Sequence, residues 1–244
     1  MIDPRMADRR KAVLERGARK GIKRAIILLV TVSLLAGVIW LLQSSYLSVQ
    51  EIEVTGSDRP DVSEAILRAG IEEGIPLILV RTGEAVDELE ALPWIRAAEV
   101  RRVYPDRVEV AVDQRRAVVW MWDSGSYAVL DIEGVVLEYV TSVVVGTPVL
   151  QLGIRHVAEG EAHSDPAVLG GVEFIAALGG VLSGVEVRQE EGELIGRFDG
   201  HDIRLGRPVD MAAKASALLA VLADGLPEGS SINLIAPARP AVTP

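Results

Sequence analysis

The chain has 244 residues, with 25 Lys/Arg against 35 Asp/Glu, only 4% aromatic residues and no cysteine. The missing cysteines exclude disulfides, thiolate chemistry and a lipid-modified cysteine near the amino terminus, and the scarce aromatic rings argue against a carbohydrate-stacking groove. The formal charge of −10 argues against nucleic acid as a partner, because phosphates need a basic surface.

That charge is unevenly spread. Residues 1–24 carry nine Lys/Arg and three acids, net +6, which leaves −16 for the rest; Lys214 is the only lysine beyond this head. Residues 25–42 (AIILLVTVSLLAGVIWLL) contain no charge and no proline. Eighteen helical residues reach about 27 Å, close to the ~30 Å hydrocarbon core of a bilayer. The pattern predicts a membrane anchor from Ala25 to Leu42, with Leu29 and Leu34 in lipid and Trp40 near the outer interface. Basic residues beside a spanning helix stay cytoplasmic, so the expected topology is amino terminus in, carboxyl terminus out, with one pass. Membrane lipid is then a partner of the head itself. A cleaved signal peptide is the alternative, but the apolar run is long for one and Gln43-Ser44-Ser45-Tyr46 is a poor cleavage site.

After the anchor, residues 49–54 (VQEIEV) alternate as a half-buried strand. Asp61 or Ser63 can cap a helix through Ala69, closed by Gly70. Gly74 and Pro76 mark a connector. Thr82 can cap a second helix over 83–91, ended by Pro93. Residues 97–103 read as a strand, Tyr104-Pro105-Asp106 as a turn, and 107–113 (RVEVAVD) as a strand with Val108, Val110 and Val112 inward. The order is strand, helix, helix, strand, strand.

A second unit follows. Strands are expected at 118–122, 127–130 and 135–140, joined by tight turns as an antiparallel meander. Asp165-Pro166 opens a helix to Leu178. Short strands follow at 185–189, 193–198 and 202–205. Pro208 opens a last helix to Ala223, ended by Gly225. Residues 231–236 (SINLIA) are the final strand, stopped by Pro237 and Pro240. The fold class expected is α+β: a transmembrane helix, a β-α-α-β-β unit, then a mostly antiparallel β domain with two helices.

The case for an enzyme is weak. His156, His163 and His201 are the only histidines, with no HExxH or cysteine partner for a metal. Ser124 lacks a nucleophile elbow, and no phosphate-cradling glycine loop appears. Gly170-Gly171 and Gly179-Gly180 read as helix punctuation or close packing. No catalytic residue, cofactor, metal or small-molecule substrate is expected.

The segment VQEIEVTGSDRPDVSEAILRAG resembles the opening of a POTRA domain. The run LPWIRAAEVRRVYPDRVEVAVDQRRAVVWM, the hairpin YAVLDIEGVVLE, and the close DIRLGRPVDMAAKASALLAVLADGL…SINLIAPARPAV follow in order. Together they resemble the FtsQ/DivIB family of cell-division proteins over essentially the whole chain. Asn233 and Ala117 stand where members often carry aspartate and proline. The resemblance implies a POTRA domain at 47–115, a β domain at 116–237, a tail at 238–244 and no enzymatic activity. It implies a scaffold at the septum that links early ring components to wall synthases of the FtsW/FtsI type. The partners it implies are coiled-coil proteins of the FtsB/DivIC and FtsL types, bound through the far end of the β domain. A POTRA-bearing transport component is the other reading; it expects several POTRA repeats and barrel strands.

A last strand with unpaired backbone groups can accept a partner strand. Ile232, Asn233, Leu234 and Ile235, flanked by Lys214 and Arg239, are therefore the candidate partner site. Lys214, on the last helix, would be offered to an acidic partner. Core packing is the competing explanation for the alternate apolar residues. Arg101-Arg102 and Arg115-Arg116 offer either a docking patch between the two units or ordinary surface ion pairs.

Overall fold

The structure is a computed structural model that describes residues 23–24, 26–40, 45–153, 155–227 and 229–243. The basic head up to residue 22, and the anchor residues Ala25 and Leu42, lie outside the described residues. Residues 26–40 are helical (α1), with exposed side chains throughout. Among the described residues no helix is long and apolar enough to cross a membrane.

The first unit is β1 (Glu51–Thr55), α2 (Pro60–Arg68), α3 (Thr82–Glu90), β2 (Ile95–Val103) and β3 (Arg107–Gln114). Its sheet order is β1-β3-β2, with β3 central, parallel to β1 and antiparallel to β2. The alternation read in β3 holds: Val108, Val110 and Val112 are buried with Ile66, Ile71, Leu77, Leu89 and Ile95. Both helix starts differ from expectation. Pro60 occupies the first turn of α2, with Asp61 inside the helix, and Thr82 is itself helical; neither start carries a side-chain cap. Pro60 explains the first case, since its fixed φ suits that position and it has no N–H to satisfy.

The second unit holds one nine-stranded sheet in the order β12-β11-β10-β9-β8-β7-β4-β5-β6. Its strands are β4 (Val119–Asp123), β5 (Ser126–Leu130), β6 (Val136–Val140), β7 (Val149–Gln151), β8 (Glu186–Glu190), β9 (Glu193–Phe198), β10 (His201–Gly206), β11 (Ser231–Asn233) and β12 (Ala241–Thr243). The meander β4-β5-β6 forms as expected. The sheet as a whole is mixed, because β4·β7, β7·β8 and β10·β11 are parallel.

Helices α4 (Pro166–Ala177) and α5 (Met211–Ala223) contribute Val168, Val172, Phe174, Met211, Ala215 and Leu218 to the main core with Leu150, Val187, Ile203 and Ile232. Asp165 caps α4 by accepting from Ala167 N at 2.8 Å. The glycine pair in α4 is a packing device: a Cβ on Gly170 would stand 2.6 Å from Pro208 Cβ, and one on Gly171 2.8 Å from Leu150 Cδ2. Pro208 does not open α5. The helix starts at Met211 after Asp210, whose φ of 55° turns the chain into it.

Candidate functional site

The carboxyl-terminal end of the sheet differs from the expected free edge. β11 is paired on both sides, parallel to β10 and antiparallel to β12. Residues 241–243, expected in a tail beyond the stopping prolines, form the outermost strand and are exposed at every position. The six candidate side chains divide accordingly. Ile232 and Leu234 are fully buried in the main core. Lys214 is buried too, and its Nζ donates to Arg207 O at 2.8 Å. That burial corrects the expectation that Lys214 is offered to an acidic partner. It also pushes the Lys214 pKa down, with Asp210 acting in the opposite direction. Asn233, Ile235 and Arg239 are exposed, and Asn233 Oδ1 accepts from Ile235 N at 3.1 Å.

The surface at this end is built by β12 and the turns beside it. Val209, Ile235 and Val242 are exposed apolar side chains there. Leu234 N donates to Arg204 O, so Ile232, two residues earlier, also directs its backbone groups toward β10. Ser231 and Asn233 then face β12, where they pair with Thr243 and Ala241. By the same alternation Val242 directs its N–H and C=O away from the sheet.

The arginine pairs differ from one another. Arg101 pairs with Glu99 of its own strand in solvent. Arg115 instead joins the two units. Its Nη1 reaches Asp131 Oδ2 and Glu133 Oε2, both at 2.6 Å, and its N donates to Trp94 O at 2.8 Å. Arg96 also pairs with Glu133. Hydrogen bonds from Arg115 and then Arg96 hold the Glu133 carboxyl below its usual range. The Asp131 side chain is almost fully enclosed and also accepts from the N–H groups of Glu133 and Val135. Trp94 packs with Val129, Val135 and Leu137 of the second unit, while Arg59 lies over its ring, 4.6 Å from the centroid. A cleft of about 850 Å³ runs along this junction, lined by Gly56, Arg96, Arg115, Arg116 and Ile132 among others.

A third cluster escaped sequence reasoning. Asp123, read as part of a turn, is buried, and its Oδ2 lies 2.7 Å from His156 Nδ1. Tyr139 stacks on His156 and donates to Val157 O at 2.7 Å. Burial raises the Asp123 pKa, but bonds from His156, Ser124 and Tyr139 outweigh it, and the net direction is down. His163 is buried, its backbone N donates to Gly134 O, and its Nε2 has no hydrogen-bond partner among the described residues. No sequence signal marks the Asp123–His156 pair, because 33 positions separate the two residues. Ser124 bonds to Asp123, so the trio has the wrong connectivity for a serine nucleophile, which needs the histidine between the other two. Among the described residues no group of three or more His, Cys, Asp or Glu could hold a metal ion.

Comparison with known proteins bears on both units. The model of the POTRA domain, FtsQ-type, matches residues 47–115. Cell division protein FtsQ of Corynebacterium glutamicum is 28% identical over 221 residues, covering 88% of this chain and 95% of that protein. FtsQ of Streptomyces bingchenggensis is 30% identical, covering 85% and 81% respectively. A solved structure, the major extracytoplasmic domain of DivIB from Geobacillus stearothermophilus, is 20% identical and covers 46% of this chain and 98% of that one, with a TM-score of 0.31. The likeness to the Streptomyces and Corynebacterium proteins extends over most of the length of each, far beyond the POTRA unit, and with it the chain belongs to the FtsQ/DivIB family of bacterial cell-division proteins, which are not enzymes.

Proposed function

We propose that the chain is a single-pass scaffold of the division machinery, working at the septum by holding other chains. On this reading residues 1–24 are a basic cytoplasmic head and 25–42 cross the plasma membrane. Units 47–115 and 116–237 lie outside the cytosol. The charge asymmetry supports this orientation. So does α1, where Leu29 and Leu34 are 66% and 69% exposed and Trp40 74%. A helix that buries none of its large apolar side chains in protein needs an apolar surround.

The partners are coiled-coil proteins of the FtsB/DivIC and FtsL types and, with them, septal wall synthases of the FtsW/FtsI type. The observation that carries the docking site is the outward backbone of Val242 on the exposed β12. A partner strand added there gains main-chain hydrogen bonds, with Ile235 and Val242 giving apolar contacts. Asn233 and Arg239 flank it, while Ile232, Leu234 and Lys214 support it from beneath. Val242→Pro removes the outward N–H without touching the β11 pairing. It is expected to weaken binding of the coiled-coil partner about tenfold relative to Val242→Ala, the loss of one hydrogen bond. Equal binding of the two variants in a titration with purified partner would exclude strand addition at this edge.

A further inference from the structure

We infer that the first unit rests on the outer surface of the lipid bilayer through Tyr46, Ile78 and Leu79. This goes beyond the anchor and rests on it, since the contact requires residues 25–42 to span the membrane.

The chain leaves little slack. Only Gln43, Ser44 and Ser45 separate the apolar run from Tyr46, so Tyr46 lies within about 14 Å of the hydrocarbon edge even with the chain fully extended. Val49 N then donates to Ile75 O, Gly74 N donates to Val49 O, and Ser48 bridges Pro76 in antiparallel sense. Antiparallel pairing turns the chain after Pro76 back toward the end from which Tyr46 enters. Residues 77–79 form a short 3-10 turn, and at three residues per turn positions 77 and 80 share a face. Leu77 and Val80 are buried, at 0% and 1% exposure, whereas Ile78 and Leu79 are pushed out at 46% and 64%. The core thus holds the turn in place and presents two consecutive large apolar side chains outward. Tyr46, at 78% exposure, adds an amphipathic ring of the kind favoured at headgroup depth.

The charges nearby point to apolar insertion over electrostatic attraction. Glu72 and Glu73 precede the turn and are exposed, whereas Arg81 just after it is paired with Glu84, so the local charge that remains would be repelled by an anionic leaflet. Contact through Tyr46, Ile78 and Leu79 is therefore expected to persist in high salt.

The absence of cysteine makes the test clean. The full chain is reconstituted into phosphatidylcholine–phosphatidylglycerol vesicles with one spin label at a time, at Leu34→Cys, Ile78→Cys, Leu79→Cys or Val145→Cys. Val145 is fully exposed in the second unit. Collision with a water-soluble nickel chelate is expected to be several-fold lower at 78 and 79 than at 145, and lowest at 34, at low and high salt alike. Labels at 78 and 79 as accessible as 145, with 34 still shielded, overturn the lipid contact and leave the anchor standing. A label at 34 open to the chelate overturns both. Shielding at 78 and 79 that disappears in high salt overturns the apolar contact.

Discussion

His163 is where the chemistry of one side chain reaches the stability of the whole second unit. Burial depresses its pKa, while Asp123 and Asp165 act upward and His156 downward. The unfolded chain therefore binds this proton more readily than the folded one. The folded state loses stability as pH falls through the ordinary histidine value of ~6.5. Asp123 contributes in a separate window: its depressed pKa gives stability that is lost only below ~3.9. The thermal midpoint of the full chain in detergent is expected to drop between pH 7.5 and 5.5, and His163→Leu to flatten that drop. An unchanged slope in the variant would assign the titration to another group. Residue-scale features of this sort were poorly legible in the sequence. A lone lysine on an apolar helix face looks like a surface charge, yet the Lys214 ammonium is folded in onto the Arg207 carbonyl.

Elements were more legible where the run of residues was long enough to show a period. The eight residues of β3 carry an alternation that places Val108, Val110 and Val112 inward, and Asp165-Pro166 marks the start of α4 through cap chemistry. Strands β7 and β12 have three residues each, too few to show a period, and Pro240 just before β12 reads as a stop. The error about the sheet edge follows from that one missed strand. Within α4, Gly170 is required by close approach: a methyl group there meets the Pro208 Cβ and backbone Cα at 2.6 and 3.2 Å. Gly170→Ala is expected to cost about 1–3 kcal/mol through overpacking, against ~1 kcal/mol gained in helix propensity. Gly83 in α3 has nothing within 4 Å of its would-be Cβ, so Gly83→Ala is expected to stabilise by up to ~1 kcal/mol. Urea titrations of the two variants should move in opposite directions.

At the scale of the whole molecule, Arg115 is one of the side chains that tie the two units together, beside Arg96 and Trp94. It is the last cation of the first unit, and its carboxylate partners lie in the β5–β6 turn of the second. Removing it leaves Asp131 enclosed without a counter-charge, although two backbone N–H groups remain on its Oδ1. Arg115→Ala is expected to cost about 2–3 kcal/mol, somewhat less than the loss of a fully enclosed pair. It should also expose the junction at residues 115–118 to limited proteolysis before either unit unfolds. Cleavage no faster than in the unmodified chain would show that the Trp94 cluster alone holds the units together.

The strand order carries a distance with it. The β5–β6 turn held by Arg115 and the strand β12 are separated by seven steps across the sheet, or about 34 Å before twist shortens it. On the proposed function, a partner tethered in the same bilayer and docked on β12 would need a stalk that covers this offset on top of the height of the first unit, wherever the sheet stands upright. In helical form the offset alone amounts to about 23 residues. On that reading the breadth of the sheet would act as a yardstick, setting the least rise beyond the first unit that a partner needs to reach the edge.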